Sequence, residues 1–306
     1  MKKTEIEFRT LKLKSKDPFP ILLHGYLQQQ LIALKKYQPI ARAGLDPEGV
    51  HQMRIAIRRI RTMLNVFTEM FDAEVCGSLD GNLRRLAKQL GIARDADVCE
   101  AQIMRFNTVL SPLAIKEAGP YADHLRSTVF RAYTKLNQFF NSEDYSTLVT
   151  DLEQFVSAIP YGEAMQAFAE RSIAHCAKIY VWQSLQKTMQ LGDRLSSHSS
   201  SRKVHKLRIQ AKRLRYLLDF FSLVQKKKWR APIRKLKSLQ EILGEHQDAV
   251  TASSRLQGYA ASLIEGPANR HLLLAIDRLL LVEENRIARQ RRKLPPAWLQ
   301  VKEAFN

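Results

Sequence analysis

Apolar residues along this chain recur at spacings of three and four, and runs that alternate apolar with polar are few, so the predicted elements are amphipathic helices. The first is expected from about Pro20 to Ala43, ending near Gly44 and the turn signal Leu45-Asp46-Pro47-Glu48-Gly49. The second holds the stretch VHQMRIAIRRIRTMLNVF, Val50 to Phe67. A third is expected over Ser78–Leu90 with Gly91 as a left-handed C-terminal cap. A fourth starts near Asp95 or Asp97, where Asp97 and Glu100 have capping-box spacing. Further helices are expected over Tyr121–Phe140 and Tyr145–Ile159, with Pro112, Pro120 and Pro160 between elements. The fold class is all-α.

After Pro160 the order restarts. A helix from about Gly162 to Leu191 leads to the serine-rich turn SSHSSS, then to VHKLRIQAKRLRYLLDFF, Val204 to Phe221. Lys226-Lys227-Lys228 is expected in a turn, ahead of a helix that includes IRKLKSLQEILG. The two quoted helices match without gaps at Val, His, Arg, Ile, Arg, Arg, Leu and Phe. Placing Leu90-Gly91 on Leu243-Gly244 also brings Leu83, Leu86, Asp95 and Ala96 onto Leu236, Leu239, Asp248 and Ala249. Two separate spans at nearly one offset mark an internal duplication of about 150 residues. The expected organisation is a basic N-terminal tail, 1–17, then helical-bundle repeats at 18–160 and 161–306, related by a pseudo-twofold axis.

Helical geometry turns the repeated stretch into a surface. At about 100° per residue, His51, Arg54, Arg58 and Arg61 fall within an arc of roughly 80°. Val50, Met53, Ile57, Ile60, Leu64 and Phe67 fill the adjoining arc, which is the core face. In the second copy His205, Arg208, Lys212 and Arg215 take the same arc. A basic stripe that borders the core should sit at the rim of the helix packing, partly shielded from water.

Charge then changes what that stripe means. Across 306 residues, 49 Lys and Arg face 30 Asp and Glu, a net charge of +19, which points to a polyanionic partner or an acidic surface. Solvated helix faces interleave Glu with Lys, whereas these two stretches hold no acid within the stripe. An ion pair from Asp95 or Asp248 to a stripe arginine is expected, yet two carboxylates cannot balance six or more cations. Guanidinium groups match phosphate oxygens in a bidentate way, so the surplus suits a phosphate-rich anion.

Other chemistry finds little purchase. His51 and His205 are followed one turn later by Arg54, Ile55, Arg208 and Ile209, which would repel a metal ion instead of ligating it, so no metal or cofactor is expected. Cys76, Cys99 and Cys176 suggest neither a disulfide framework nor a metal cluster, and a reducing cytoplasm fits them. There is no run of about 18 apolar residues and no apolar core in the first residues, so neither a membrane span nor a signal peptide is expected. No Walker loop, zincin motif or nucleophile elbow is found, and the expected class is a binding protein, not an enzyme.

The double motif H-x-x-R-I-x-x-[RK]-R-[IL]-R, each copy followed by a leucine-glycine pair and an aspartate as in LGIARD and LGEHQD, closely resembles the CHAD family, the conserved histidine α-helical domain. The resemblance runs from about residue 18 to the end. It implies two four-helix bundles around a central basic groove or pore that binds inorganic polyphosphate without catalysis, in the cytoplasm and associated with polyphosphate granules. Carried over by position, the contacts would be His51, Arg54, Arg58 and Arg61 with His205, Arg208, Lys212 and Arg215; Arg59, Arg213, Arg84, Lys88 and Lys237 would extend the patch. Non-specific nucleic-acid binding, to RNA above all, is the alternative, because net charge does not tell one polyanion from another. Gln247 stands where Arg94 stands in the first copy, so the halves need not bind equally. Glu5-Ile-Glu7-Phe-Arg9 echoes the E-x-E-x-K strand of a triphosphate-tunnel domain often fused to this family, but no barrel fits in the residues before the repeat.

Overall fold

Helix α1, Phe19–Ala43, begins where Pro18 and Pro20 frame its first turn, and it stops at Gly44, whose φ of 68° is the left-handed conformation that glycine tolerates best. The chain reverses there. Helix α2, Pro47–Val66, opens with Asp46 as N-cap: its Oδ1 accepts from the Glu48 backbone N–H at 2.8 Å, and Pro47 takes the first helical position. The computed structural model describes residues 13–158, 166, 168, 170–196, 198–263 and 270–305. After a 3-10 turn at Thr68–Met70 come α3 (Ala73–Val109), α4 (Pro112–Glu117), α5 (Gly119–Phe140) and α6 (Glu143–Ala158). Then follow α7 (Ile173–Gly192), α8 (Ser201–Phe221), α9 (Lys226–Leu263) and α10 (Arg270–Glu303). The fold is all-α, with no strand among the described residues.

Three expectations are corrected. The chain does not break at Gly91: α3 continues through it, and Asp95 and Asp97 lie inside the helix instead of capping a new one. The physical reason is the unbroken apolar rhythm of Leu83, Leu86, Leu90, Ala93 and Ala96, all buried, which holds the helix to its neighbours across the glycine. The same holds at Gly244, interior to α9. Lys226-Lys227-Lys228 forms the first turn of α9, exposed to solvent. The expected start of a helix near Gly162 and the repeat boundary at 160 lie outside the described residues, as does the tail before residue 13.

The chain divides into two compact units. The first comprises Met1–Arg94, Ala132–Gln183 and Tyr216–Trp229; the second, Asp95–Arg131, Ser184–Arg215 and Arg230–Asn306. Each takes segments from both halves of the sequence, so a compact unit and a sequence repeat are different divisions of this chain.

In the first unit the core face of α2 (Val50, Met53, Ile57, Ile60, Leu64) is buried, and α1 contributes Phe19, Leu22, Leu23, Leu27 and Leu34. Aromatic rings knit its end: Phe67 meets Phe19 edge-on at 4.9 Å and Tyr180 at 4.7 Å, and Phe220 meets Tyr26 at 4.9 Å. The backbone just before α1 is fastened to the start of α7, with Phe19 N–H donating to Arg171 O at 2.9 Å and Ile173 N–H to Asp17 O at 3.0 Å. In the second unit Cys99, Ile103, Phe106, Tyr121, Leu125, Leu256, Ile276 and Leu279 form the core cluster. Its α10 carries the fully buried Glu283, which accepts from Arg286 Nη1 at 2.6 Å and has Arg105 Nη1 at 3.7 Å.

Candidate functional site

The stripe on α2 is built by periodicity and held by packing. With Val50, Met53, Ile57 and Ile60 all fully buried, rotation of the helix is fixed, and His51, Arg54, Arg58 and Arg61 are left half-buried beside them. Arg58 Nε donates back to the Arg54 carbonyl at 3.2 Å, which keeps its side chain along the helix. Arg61 Nε reaches Asp80 Oδ1 of α3 at 2.7 Å, and the other oxygen of Asp80 takes Arg84 at 2.7 Å. Asp80 is itself mostly buried; burial works to raise its pKa, but the hydrogen bonds and charges of Arg61 and Arg84 outweigh this and hold it below the usual carboxylate range.

Arg54 lies against Gly91 of α3. A Cβ built on that glycine would stand 3.0 Å from Arg54 Nη1, so the missing side chain makes the room the guanidinium occupies. The leucine-glycine pair after the motif is thus a seat for the motif arginine in the first unit. Arg84 and Lys88 are exposed on α3, while Arg59 turns toward α1, where its Nη1 donates to the buried Gln30 at 3.3 Å.

His51 is half-buried, and burial is the main cause that lowers its pKa; Glu48 opposes this, and Arg94, Arg58 and Arg54 lower it further. The ring is therefore neutral at neutral pH while the site is empty of anion.

The second unit repeats the stripe with different partners. Val204, Leu207, Ala211 and Leu214 are buried, Arg208, Lys212 and Arg215 are half-buried, and His205 is exposed. His205 Nδ1 is 2.8 Å from Gln247 Oε1, and Arg215 Nε donates to Gln240 Oε1 at 2.7 Å, whose amide donates in turn to the Ala211 carbonyl at 2.8 Å. Arg213 and Lys237 are exposed. Near the start of α8, Arg291 of α10 donates to Ser201 Oγ at 3.0 Å and to His246 Nε2 at 3.4 Å. Burial and that guanidinium press the His246 pKa down to about 4, so its ring is the neutral acceptor.

A family model for the CHAD domain matches residues 25–257. The chain belongs to the CHAD family. The CHAD domain from the plant Ricinus communis superposes with a TM-score of 0.77 at 23% identity, covering 95% of each chain. PptA from Streptomyces chartreusis does so at 0.74 and 17% identity, covering 92% of this chain and 100% of that one. Both likenesses concern the fold. Two uncharacterised proteins of Mycobacterium tuberculosis, from two strains, are 28% identical over 238 residues, or 76% of this chain; the match spans 44% of each relative's length.

Sequence reasoning about this CHAD chain missed Asp80 and Gln240. It looked for a carboxylate after the leucine-glycine pair, at Asp95 or Asp248, both exposed. The signal for Asp80 was present: it precedes Leu83, Leu86 and Leu90 in their own rhythm, and a carboxylate in a buried register position implies a cation partner.

Proposed function

We propose that this CHAD chain binds inorganic polyphosphate along the basic stripes of α2 and α8, without catalysis, and serves in granule association or polyphosphate sensing. The observation that carries this reading is the row of half-buried cations at one-turn intervals, seated by neighbours such as Gly91 and Asp80 instead of splayed into solvent. A linear polymer with a charge on every unit is matched by such a row. The aromatic residues of the motif helices support the choice over nucleic acid: Phe67, Phe220 and Phe221 are fully buried, so these rings cannot stack on bases. Helices long and apolar enough to cross a membrane are absent among the described residues.

Competition at one fixed salt concentration tests the proposal. Labelled polyphosphate on the full chain should resist displacement by single-stranded RNA and duplex DNA at equal phosphate concentration, and equal displacement by all three would reject it. Chain length after incubation with magnesium should stay constant; shortened chains would mean an enzyme.

The seat at Gly91 gives a second expected outcome. Alanine there removes a helix-interior glycine, worth roughly 0.5–1 kcal/mol in stability. Its methyl also crowds Arg54 Nη1, so affinity for polyphosphate should fall roughly two- to tenfold, up to about 1.4 kcal/mol. Gly244→Ala, with open space around its Cβ, should change stability in the same direction and leave affinity alone. Thermal melts and binding isotherms of the two variants separate the roles; equal affinities would show that Gly91 does not seat the arginine.

A further inference from the structure

We propose that polyphosphate binding at the α2 stripe is coupled to proton uptake by His51, and that the α8 stripe binds without this coupling. The inference rests on the polyphosphate reading above and adds its regulation.

The two motif histidines share a sequence position but not an environment. His51 is half-buried, and the charged groups that act on it are Glu48, Arg54 and Arg58 of its own helix and Arg94 of α3. The Glu48 carboxylate is shared with the Gln52 amide, which donates to it at 2.6 Å. In the second unit the position of Arg94 is taken by Gln247, whose Oε1 is 2.8 Å from His205 Nδ1 on an exposed ring. The Gln247 amide nitrogen donates to Thr251 Oγ1 at 3.3 Å, which turns its oxygen toward the histidine. One histidine is thus set among cations and the other against a carbonyl acceptor, which accommodates the ring with or without its second proton.

An anion entering the α2 stripe reverses the balance at His51. Phosphate oxygens beside Arg54, Arg58 and Arg94 cancel the field that disfavours an imidazolium, and they offer an acceptor for a second ring N–H. The imidazole nitrogen takes a proton from solvent, and the product is an imidazolium paired with phosphate. The free state is neutral and the bound state charged, so affinity rises as pH falls between the bound-state and free-state pKa values. Above the first and below the second, affinity does not change with pH through this group.

Calorimetric titration of the full chain with long-chain polyphosphate, whose internal groups do not titrate near neutrality, reads the coupling directly. Two buffers of different ionisation enthalpy at one pH near 6.5, the ordinary histidine value, give the protons taken up from the difference in heat. Uptake should approach about one proton per α2 stripe filled. His51→Gln should abolish it while binding through the arginines persists, His205→Gln should retain it, and Arg94→Gln should reduce it, because the free ring is then already partly charged. Uptake that survives in His51→Gln, or that vanishes in His205→Gln, overturns the proposal. Binding with heat independent of buffer overturns the coupling alone, whereas no binding at any pH rejects the polyphosphate reading itself.

Discussion

Reversing the charge at Arg54 or at Arg208 is expected to weaken polyphosphate binding by at least about tenfold, and reversing it at Lys227 by much less. Each charge-assisted hydrogen bond lost is worth on the order of 1.5–3 kcal/mol, or about 10- to 150-fold in affinity. Replacing guanidinium by carboxylate adds repulsion. Lys227 is equally cationic, but it lies exposed in the first turn of α9, outside either stripe, where a glutamate would suit the helix dipole and leave the fold intact. A second readout accompanies the affinity. Counterions released from the polyanion give a steep salt dependence, and removing one phosphate contact should lower its logarithmic slope by roughly 0.7–0.9. Arg54→Glu, Arg208→Glu and Lys227→Glu would be compared at several salt concentrations, with circular dichroism confirming the helix content of each. Comparable losses in all three would mean a general basic surface, because net charge alone would then set the affinity.

The stripes were legible in the sequence because one periodicity creates both the core face and its border. Once Val50, Met53, Ile57 and Ile60 are buried, the position of Arg54, Arg58 and Arg61 at the rim follows from helix geometry. The limits of α1 were legible for a similar reason: Pro20 and Gly44 act locally, through backbone conformation. Gly91 was misread because local propensity argues for a stop there, while the force that keeps α3 helical comes from elsewhere in the fold. Leu90 and Ala93 on either side are fully buried, and Arg54 of another helix fills the space above the glycine. His205 and His51 illustrate the same division. Their residue type and spacing are identical in sequence, yet the partner that distinguishes them, Arg94 or Gln247, comes from a different helix and acts only once the helices pack.

Gly49 shows how much of the α2 stripe depends on a contact that sequence spacing hides. It reads as part of a turn, yet it is the third residue of α2, and its bare Cα lies against the last turns of α1. A Cβ there would stand 2.4 Å from the Ala41 backbone nitrogen and 2.7 Å from the Ile40 carbonyl carbon. Neither atom is the end of a flexible side chain, and Ala41 is itself fully buried, so relief requires α1 and α2 to separate. Overpacking ordinarily costs about 1–3 kcal/mol, and a clash of backbone with Cβ in a fixed helix pair belongs at or above the upper end. The gain of roughly 1 kcal/mol from placing alanine in a helix offsets only part of this. Gly49→Ala is therefore expected to lower the melting temperature by roughly 5–10 °C. Polyphosphate affinity should fall with it, because the rotation of α2 that aims Arg54 and Arg58 is set by the same helix pair. Far-UV circular dichroism melts of Gly49→Ala beside Gly244→Ala make the comparison, since the second adds the same methyl to a helix-interior glycine with open space around it. If the two variants melted together at or above the parent temperature, close contact between α1 and α2 at Gly49 would not be what fixes the stripe.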